Sequence, residues 1–425
     1  MKRSFLWLLL LPLAAFSQTA LQEIQADIHR SASNYLAYPE PVGVVQTPAP
    51  KGYKPFYFSH YARHGSRWHI GEGDYRRPFE TLKRAARQGK LTAEGQRVLT
   101  VLDSVYRMSR GRLGELTPLG ALQHRGIARR MVNNFPEIFR HKNLEVNARS
   151  TIVIRCILSM MNEALELQTE NPTVRITSDA SQHDMYYMNY EVDDRLGAYR
   201  KNPEIGKAMA AYRREHLDAG RLMGVIFNDA QYVADSVKAE SLWNQIFNVA
   251  ANMQSLETDM DLYGLFTTEE CYRKWAIDNM YWYMYYGPSH LTKGKMPFYE
   301  ANLLRNILET ADSCLKLPQP SATLRFGHEV VVMPLACLLE LDNYGKTYYD
   351  FENLDAQWRN YKVFPMASNI QWVFYKKKGS DDILVKIMLN EHETRLPVAS
   401  DVAPYYHWKD VEAYYRAKLD NFKFD

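Results

Sequence analysis

Cysteine is scarce. The 425-residue chain has four, at positions 156, 271, 314 and 337, with no CxxC pair and no Cys/His cluster. Zinc-ribbon sites and dithiol redox chemistry therefore lack their ligands. Four cysteines allow at most two disulfides, and Cys156 and Cys337 lie in apolar periodic stretches where a buried free thiol is expected. A membrane-length apolar run is also missing. The best run in the body of the chain, Val330 to Leu341, has 12 residues and contains Pro334 and Glu340, against the roughly 20 needed to span a bilayer. Charge of one sign is missing too: 52 Lys+Arg stand against 49 Asp+Glu, a formal charge of +3, which excludes a general nucleic-acid binder but not a local basic patch. No HExxH motif follows His328-Glu329 or His392-Glu393, which removes the zinc-protease reading. Repeats and low-complexity tracts are absent. What is present is core material: 46% hydrophobic residues, 29 tyrosines and 8 tryptophans with only 24% charge. That composition fits two or three globular units, or one large core with an insertion.

The N-terminus reads as an address. Lys2 and Arg3 precede an apolar stretch from Phe5 to Ala15, with small residues at Ala15 and Ser17. This is the layout of a secretory signal cut after Ser17, and the stretch is too short for an anchor. Residues 1–17 are expected to be a signal peptide, leaving a soluble, exported protein that is periplasmic or secreted.

Beyond a proline-rich lead-in, Tyr53 to Tyr61 reads as a strand running into Arg63-His64-Gly65. Residues 92–140 read as helical, with Thr117-Pro118 opening a helix through Phe135. Val146 to Ser150, 173–178 and 323–327 read as strands, and Thr151 to Leu167 has helical spacing. Ile370–Tyr375 and Ile383–Leu389 form an expected hairpin. From about 180 to 310 the sequence is helical, Tyr- and Met-rich, and without strand alternation. The expected organisation is an α/β core of residues 18–179 and 311–425, with a mostly parallel sheet flanked by helices, and an α-helical insertion (cap) domain at 180–310.

Three clusters carry chemistry, each at the end of a strand. In Tyr61-Ala62-Arg63-His64-Gly65-Ser66-Arg67, two guanidinium forks flank one histidine. Such forks suit a phosphate bidentately, and a neutral imidazole between them faces an electron-poor phosphorus. Ala148-Arg149-Ser150-Thr151, followed by Arg155, and Phe326-Gly327-His328-Glu329 are the others. Phosphoryl transfer needs charge neutralisation, an in-line nucleophile and a proton for the leaving oxygen. Arg63, Arg67 and Arg149 are assigned to the first, His64 to the second and Glu329 to the third, with His328 on a phosphoryl oxygen.

With these residues the sequence resembles the histidine acid phosphatases, whose hallmark is RHGxRxP near the N-terminus with HD or HAE near the C-terminus. LTPLG (Leu116–Gly120) with Gln123-His124, Arg149 and FGHE (Phe326–Glu329) extend the likeness over most of the chain. Val363 to Asn369, with Leu389-Asn390-Glu391, leans toward the multiple inositol polyphosphate phosphatase (phytase-like) branch. The resemblance implies a phosphoglycerate-mutase-like core, His64 as the phospho-accepting nucleophile, and Arg63, Arg67, Arg149 and His328 as phosphate ligands. No cofactor or metal is required, and the implied partner is a small phosphate ester. No nucleic acid, membrane or protein partner is indicated. Two positions depart from the pattern: His69 replaces the motif's proline, and Val330 stands where HAE has its glutamate, leaving Glu329 in the position of the aspartate of HD.

Arg76, Arg77, Lys83, Arg84, Arg87 and Lys90 stand against the single acid Glu80. This stretch, with Arg76, Arg77, Lys83 and Arg84 foremost, is a candidate holder of the further phosphates of an inositol polyphosphate such as phytate; its other reading is a solvated helix face. Lys293 and Lys295 are weaker candidates. The run Tyr281 to Tyr286 reads as core more than as a stacking platform. Broad acid or sugar-phosphate hydrolysis, a mutase, and a phosphate-binding module without catalysis stand as alternatives. Product analysis separates the mutase, and ligand-induced stabilisation without phosphate release marks the binding module.

Overall fold

The computed structural model describes residues 18–189 and 193–424. The expected signal segment lies outside the described residues. Eight strands form one sheet: β1 (Tyr53–Arg63), β2 (Glu145–Ser150), β3 (Arg175–Asp179), β4 (Ser321–Gly327), β5 (Asn369–Lys377), β6 (Ile383–Leu389), β7 (His392–Glu393) and β8 (Tyr406–His407). Their order is β3-β2-β4-β1-β5-β6-β7, with β8 also on β6. The first four in that order are mutually parallel. From β5 onward the pairing is antiparallel, through the hairpin of β5 and β6.

This topology makes a site by register alone. Arg63 pairs with Gly327, and Ser150 with Phe326. The residues just past the carboxyl ends, His64, Thr151 and His328, therefore emerge side by side, where parallel α/β sheets place their ligands. Every residue of β4 is buried, as suits the central strand of a sheet covered on both faces. On one face, helices Pro118–Asn134 and Ile154–Glu170 cover Phe58, Ala62, Leu324 and Phe326. On the other, helix Ala301–Cys314 lies close, and Asn306 Oδ1 accepts from Arg325 of β4 at 2.8 Å.

Between β3 and β4 every described element is helical. These helices pack with parts of the chain far outside 180–310. Glu72–Arg87 and Ala93–Met108 rest on Ala239–Met253 and Gly220–Ile226, and Leu91 bridges Phe227. All four cysteines are free thiols. Among the described residues, no helix is long and apolar enough to cross a membrane.

The turn after β1 is held by the LTPLG segment. Thr117 N–H and Oγ1 both donate to the Ser66 carbonyl, at 2.9 and 3.0 Å, while Thr117 Oγ1 caps its own helix by accepting from Gly120 N–H. Gly65 and Gly120 touch backbone to backbone: a Cβ on Gly120 would lie 2.3 Å from the Ser66 carbonyl oxygen, and one on Gly65 2.4 Å from that of Gly120. Gly120→Ala is therefore expected to destabilise by about 1–3 kcal/mol, the range for forced overpacking, measured by urea unfolding.

Candidate active site

His64 is fully buried. Its Nδ1–H donates to the Gly65 carbonyl at 2.9 Å. A carbonyl oxygen only accepts, so the ring proton is fixed on Nδ1. Nε2 then carries a lone pair, and it has no hydrogen-bond partner. Burial first, then the charges of Arg63, Arg155, Arg67 and His328, hold the imidazole well below its ordinary pKa. The neutral form is the one that burial and these charges favour.

The arginines around it share one pattern. Arg63 spends Nη1 on the carbonyls of Asn34 (2.6 Å) and Phe364 (3.0 Å), and Arg67 spends Nη1 on that of Trp68 (2.9 Å). Arg63 Nη2, Arg67 Nε and Arg155 Nε are buried without a hydrogen-bond acceptor. Three guanidinium groups with unspent donors around a neutral imidazole define an anion site. The nearest anion is internal: Glu329 Oε2 lies 3.1 Å from Arg63 Nε and 3.7 Å from His64 Nε2. Burial pushes the Glu329 carboxyl up, but Arg63, Arg67 and His328 outweigh it and bring it to about 2. Its place at the first turn of helix Glu329–Leu338 also suits a negative charge. The sequence reading gives Glu329 a proton at the start of reaction; the arginines favour its ionised form instead.

His328 lies with its ring centroid 5.6 Å from that of His64 and its Nε2 3.3 Å from Thr151 Oγ1. Burial brings it down to about 4. Donor atoms of His64, His328 and Glu329 fall within 4.8 Å of one another, a spacing that suits a metal. The surrounding guanidinium charge favours an anion there instead.

The structure gathers Arg63, His64, Arg67, His328 and Glu329, and adds Arg155 from the first turn of helix Ile154–Glu170. It does not bring Arg149. Arg149 pairs across the sheet with Arg325, and its Nε lies 3.4 Å from Asp184. The sequence held a signal for Arg155: Arg155, Ser159 and Glu163 recur every four residues, one stripe of a helix. Ser159 Oγ accepts from Gly65 N–H at 3.1 Å. His69, in place of the motif proline, uses the N–H that proline lacks. That N–H donates to Tyr75 Oη at 2.9 Å, and the ring Nε2–H donates to the Asn248 carbonyl at 3.0 Å.

A cavity of about 950 Å³ adjoins this centre, lined by Asn34, Tyr35, Asn248, Arg213, Lys238 and Lys274 among others. Asn34 and Tyr35 belong to both: the Asn34 carbonyl holds Arg63, and the Tyr35 ring lies 5.4 Å from the Arg67 guanidinium. A second cavity of about 390 Å³ shares the wall Lys238, Ser241 and Gln245 and is lined by Arg77 and Arg84. Of the basic stretch foreseen for further phosphates, Arg77 and Arg84 reach this rim. Arg76 is tied to Glu80 at 3.1 Å, and Lys83 lies over the Phe79 ring. Lys293 and Lys295 border neither cavity. Of the Tyr281–Tyr286 run, Trp282, Tyr283, Met284 and Tyr286 are buried, while Tyr281 and Trp282 face the larger cavity.

Residues 63–390 match the histidine phosphatase superfamily (branch 2), a span that includes every residue of the centre. The chain belongs to this superfamily. This histidine phosphatase is similar in structure to the Bifidobacterium longum multiple inositol polyphosphate phosphatase. For that protein's complex with inositol hexasulfate the TM-score is 0.74 at 20% identity, covering 92% of this chain and 98% of that one; for its phosphate complex the values are 0.74 and 21%, with the same coverage. The D. castellii phytase aligns with TM-score 0.67 at 15% identity, over 93% and 86% of the two chains. No curated protein matches the sequence.

Two arginine variants test the anion site in this phosphatase. Arg155→Ala is expected to weaken inorganic phosphate binding about 10- to 100-fold, the worth of hydrogen bonds to a charged group. Arg149→Ala is expected to change it less than about twofold. Isothermal titration of both with phosphate separates the two assignments.

Proposed function

We propose that the chain hydrolyses phosphate monoesters through a phosphohistidine at His64, acting on polyphosphorylated substrates of the inositol phosphate class. The carrying observation is His64 Nε2: buried, unprotonated and without a partner, beside three arginines that act on its charge and keep buried donors unspent. Arg63, Arg67 and Arg155, with His328, bind the phosphoryl oxygens. The Nε2 lone pair attacks phosphorus in line, the N–P bond forms and the P–O ester bond breaks. The leaving alkoxide takes a proton from Glu329. Water then attacks phosphorus and gives its proton to the Glu329 carboxylate; the N–P bond breaks, and phosphate leaves.

Glu329 must first obtain its proton. A bound phosphate neutralises the arginines that hold the carboxyl at about 2, so its proton affinity rises as substrate enters. A phosphate ester bound as monoanion brings the proton with it. Monoanion with ionised glutamate and dianion with protonated glutamate are the same ionisation state, and both are lost above the second phosphate pKa of about 6. At the acid end, His328 takes a proton at about 4.

Arg77, Arg84, Arg213 and Lys238 on the adjoining cavities support a substrate with several phosphates. The similar Bifidobacterium longum protein is an inositol polyphosphate phosphatase seen with inositol hexasulfate, which favours phytate and lower inositol phosphates. The helical region 180–310, joined by 72–108, serves as a cap over the core of 18–179 and 311–425. The N-terminal sequence supports export, so that the enzyme meets its phosphate esters in the periplasm or outside the cell.

Phosphate release from phytate and p-nitrophenyl phosphate between pH 3 and 8 tests the reading. His64→Ala is expected to lose at least about 1,000-fold in kcat, and wild-type activity in that variant would sink the mechanism. The wild-type kcat/KM is expected to be level between about pH 4 and 6 and to fall above. Glu329→Gln is expected to lose about 10²- to 10⁴-fold on phytate and less on the nitrophenyl ester, whose leaving group needs no proton. Arg77→Ala/Lys238→Ala is expected to raise KM for phytate about tenfold and leave the nitrophenyl ester unchanged.

A further inference from the structure

Behind the Arg63–His64 turn lies a closed set of ionisable groups that the steps above do not use. His60 on β1, His124 on helix Pro118–Asn134 and Glu163 on helix Ile154–Glu170 have no exposed side-chain surface. Glu163 Oε2 lies 2.9 Å from His124 Nδ1, and Glu163 Oε1 lies 3.2 Å from His60 Nδ1. His124 Nε2 lies 3.2 Å from the Arg63 carbonyl oxygen.

Hydrogen-bond chemistry restricts the protons. The Arg63 carbonyl only accepts, so His124 Nε2 carries a hydrogen. An ionised Glu163 also only accepts, so Nδ1 then carries one too and His124 is an imidazolium. The alternative, a protonated Glu163 donating to Nδ1, holds the same number of protons and the same zero net charge. Burial pushes the Glu163 carboxyl up, yet the two imidazoles outweigh it and leave it below its ordinary range; in either form the short Glu163–His124 contact and the His124–Arg63 carbonyl contact hold the imidazole in one orientation.

A buried ion pair is costly to assemble, and apolar residues of similar volume would serve packing as well or better. Phe326 already packs on both imidazoles, with ring centroids at 5.7 Å from each. What the pair touches is the peptide group joining Arg63 to His64. Its carbonyl accepts from His124, and its N–H donates to the Gly327 carbonyl at 2.9 Å. The next two N–H groups are also taken, Gly65 by Ser159 Oγ and Ser66 by Gln123 Oε1 at 2.9 Å. The nucleophile thus sits on a backbone clamped from two helices and a strand.

We propose that the buried His124–Glu163 pair, in its imidazolium–carboxylate form and with the His60 ring 3.2 Å from the same carboxylate, is a positioning element for phosphoryl transfer that fixes the Arg63–His64 peptide and with it the line of attack of His64 Nε2. The proposal rests on the phosphohistidine reading of His64. A displacement of about 1 Å at a reacting atom costs up to roughly 100-fold in rate, and phosphate binding by the three arginines is not lost with it.

Glu163→Gln keeps the shape and removes the charge. Its kcat on p-nitrophenyl phosphate, per site counted by vanadate titration, is expected to fall about 10- to 100-fold, with KM and the Kd for inorganic phosphate within about threefold. His124→Gln, which keeps an amide N–H for the Arg63 carbonyl, is expected to retain more kcat than His124→Ala. A Glu163→Gln kcat per site equal to wild type, or a loss carried by KM and phosphate affinity, overturns the proposal. Nitrogen-15 NMR of histidine-labelled wild-type protein is expected to show both His124 ring nitrogens protonated; an unprotonated one overturns the ion pair even if the variants fail to fold. That spectrum needs no turnover, so a wild-type protein that releases no phosphate would defeat the phosphatase reading and leave this test standing.

Discussion

Three guanidinium groups and one carboxylate share the buried space at the ends of β1 and β4, and most features of the centre follow from that imbalance. Unmatched positive charge in a dry site is expensive. The protein spends one edge of Arg63 and of Arg67 on backbone carbonyls, whose dipoles lower the cost, and leaves other donors unspent. Burial, with these charges added, holds His64 and His328 below their ordinary pKa, and the same charges outweigh burial to keep Glu329 ionised. A bound phosphate supplies the missing negative charge, so the site is assembled in a state that its ligand relieves.

Such a centre needs rigid support. The parallel register brings His64, Thr151 and His328 to one line. Helix Ile154–Glu170 contributes Arg155 to the charge around His64, Ser159 to the Gly65 N–H and Glu163 to the histidine pair behind. One helix stripe therefore holds the ligand, the turn and the ionic support at successive turns. The contact of Gly65 with Gly120 lets the helix that carries Gln123 and His124 approach the loop closely enough to reach it.

The strands, the hairpin and the Arg63-His64-Gly65 centre were legible in the sequence because alternation, glycine and clustered charge are local signals. Arg149 misled because a strand end was known but not the face its side chain takes; the pairing with Arg325 turns it toward Asp184. Arg155 lies six residues on, where periodicity four, not two, was the rule to apply. The ionisation of Glu329 was not legible, since it depends on distances to Arg63 and Arg67 that only the fold sets. Nor were the cavity walls, which combine residues near 35, 77, 213, 238 and 274. Long-range packing of this kind leaves no short motif.

The Leu91–Phe227 bridge and the Thr92 N–H bond to the Ile226 carbonyl at 3.0 Å have an evolutionary corollary. The helical region is stitched to residues 72–108, so it is not a cassette. Recombination that exchanged 180–310 for the matching stretch of a distant homologue would deliver one side of this seam without its mate, and Gly95, where a Cβ would sit 2.2 Å from the Ile226 oxygen, leaves little tolerance for a foreign surface. A single substitution on the cavity walls, by contrast, changes what is held without disturbing the seam or the histidine turn.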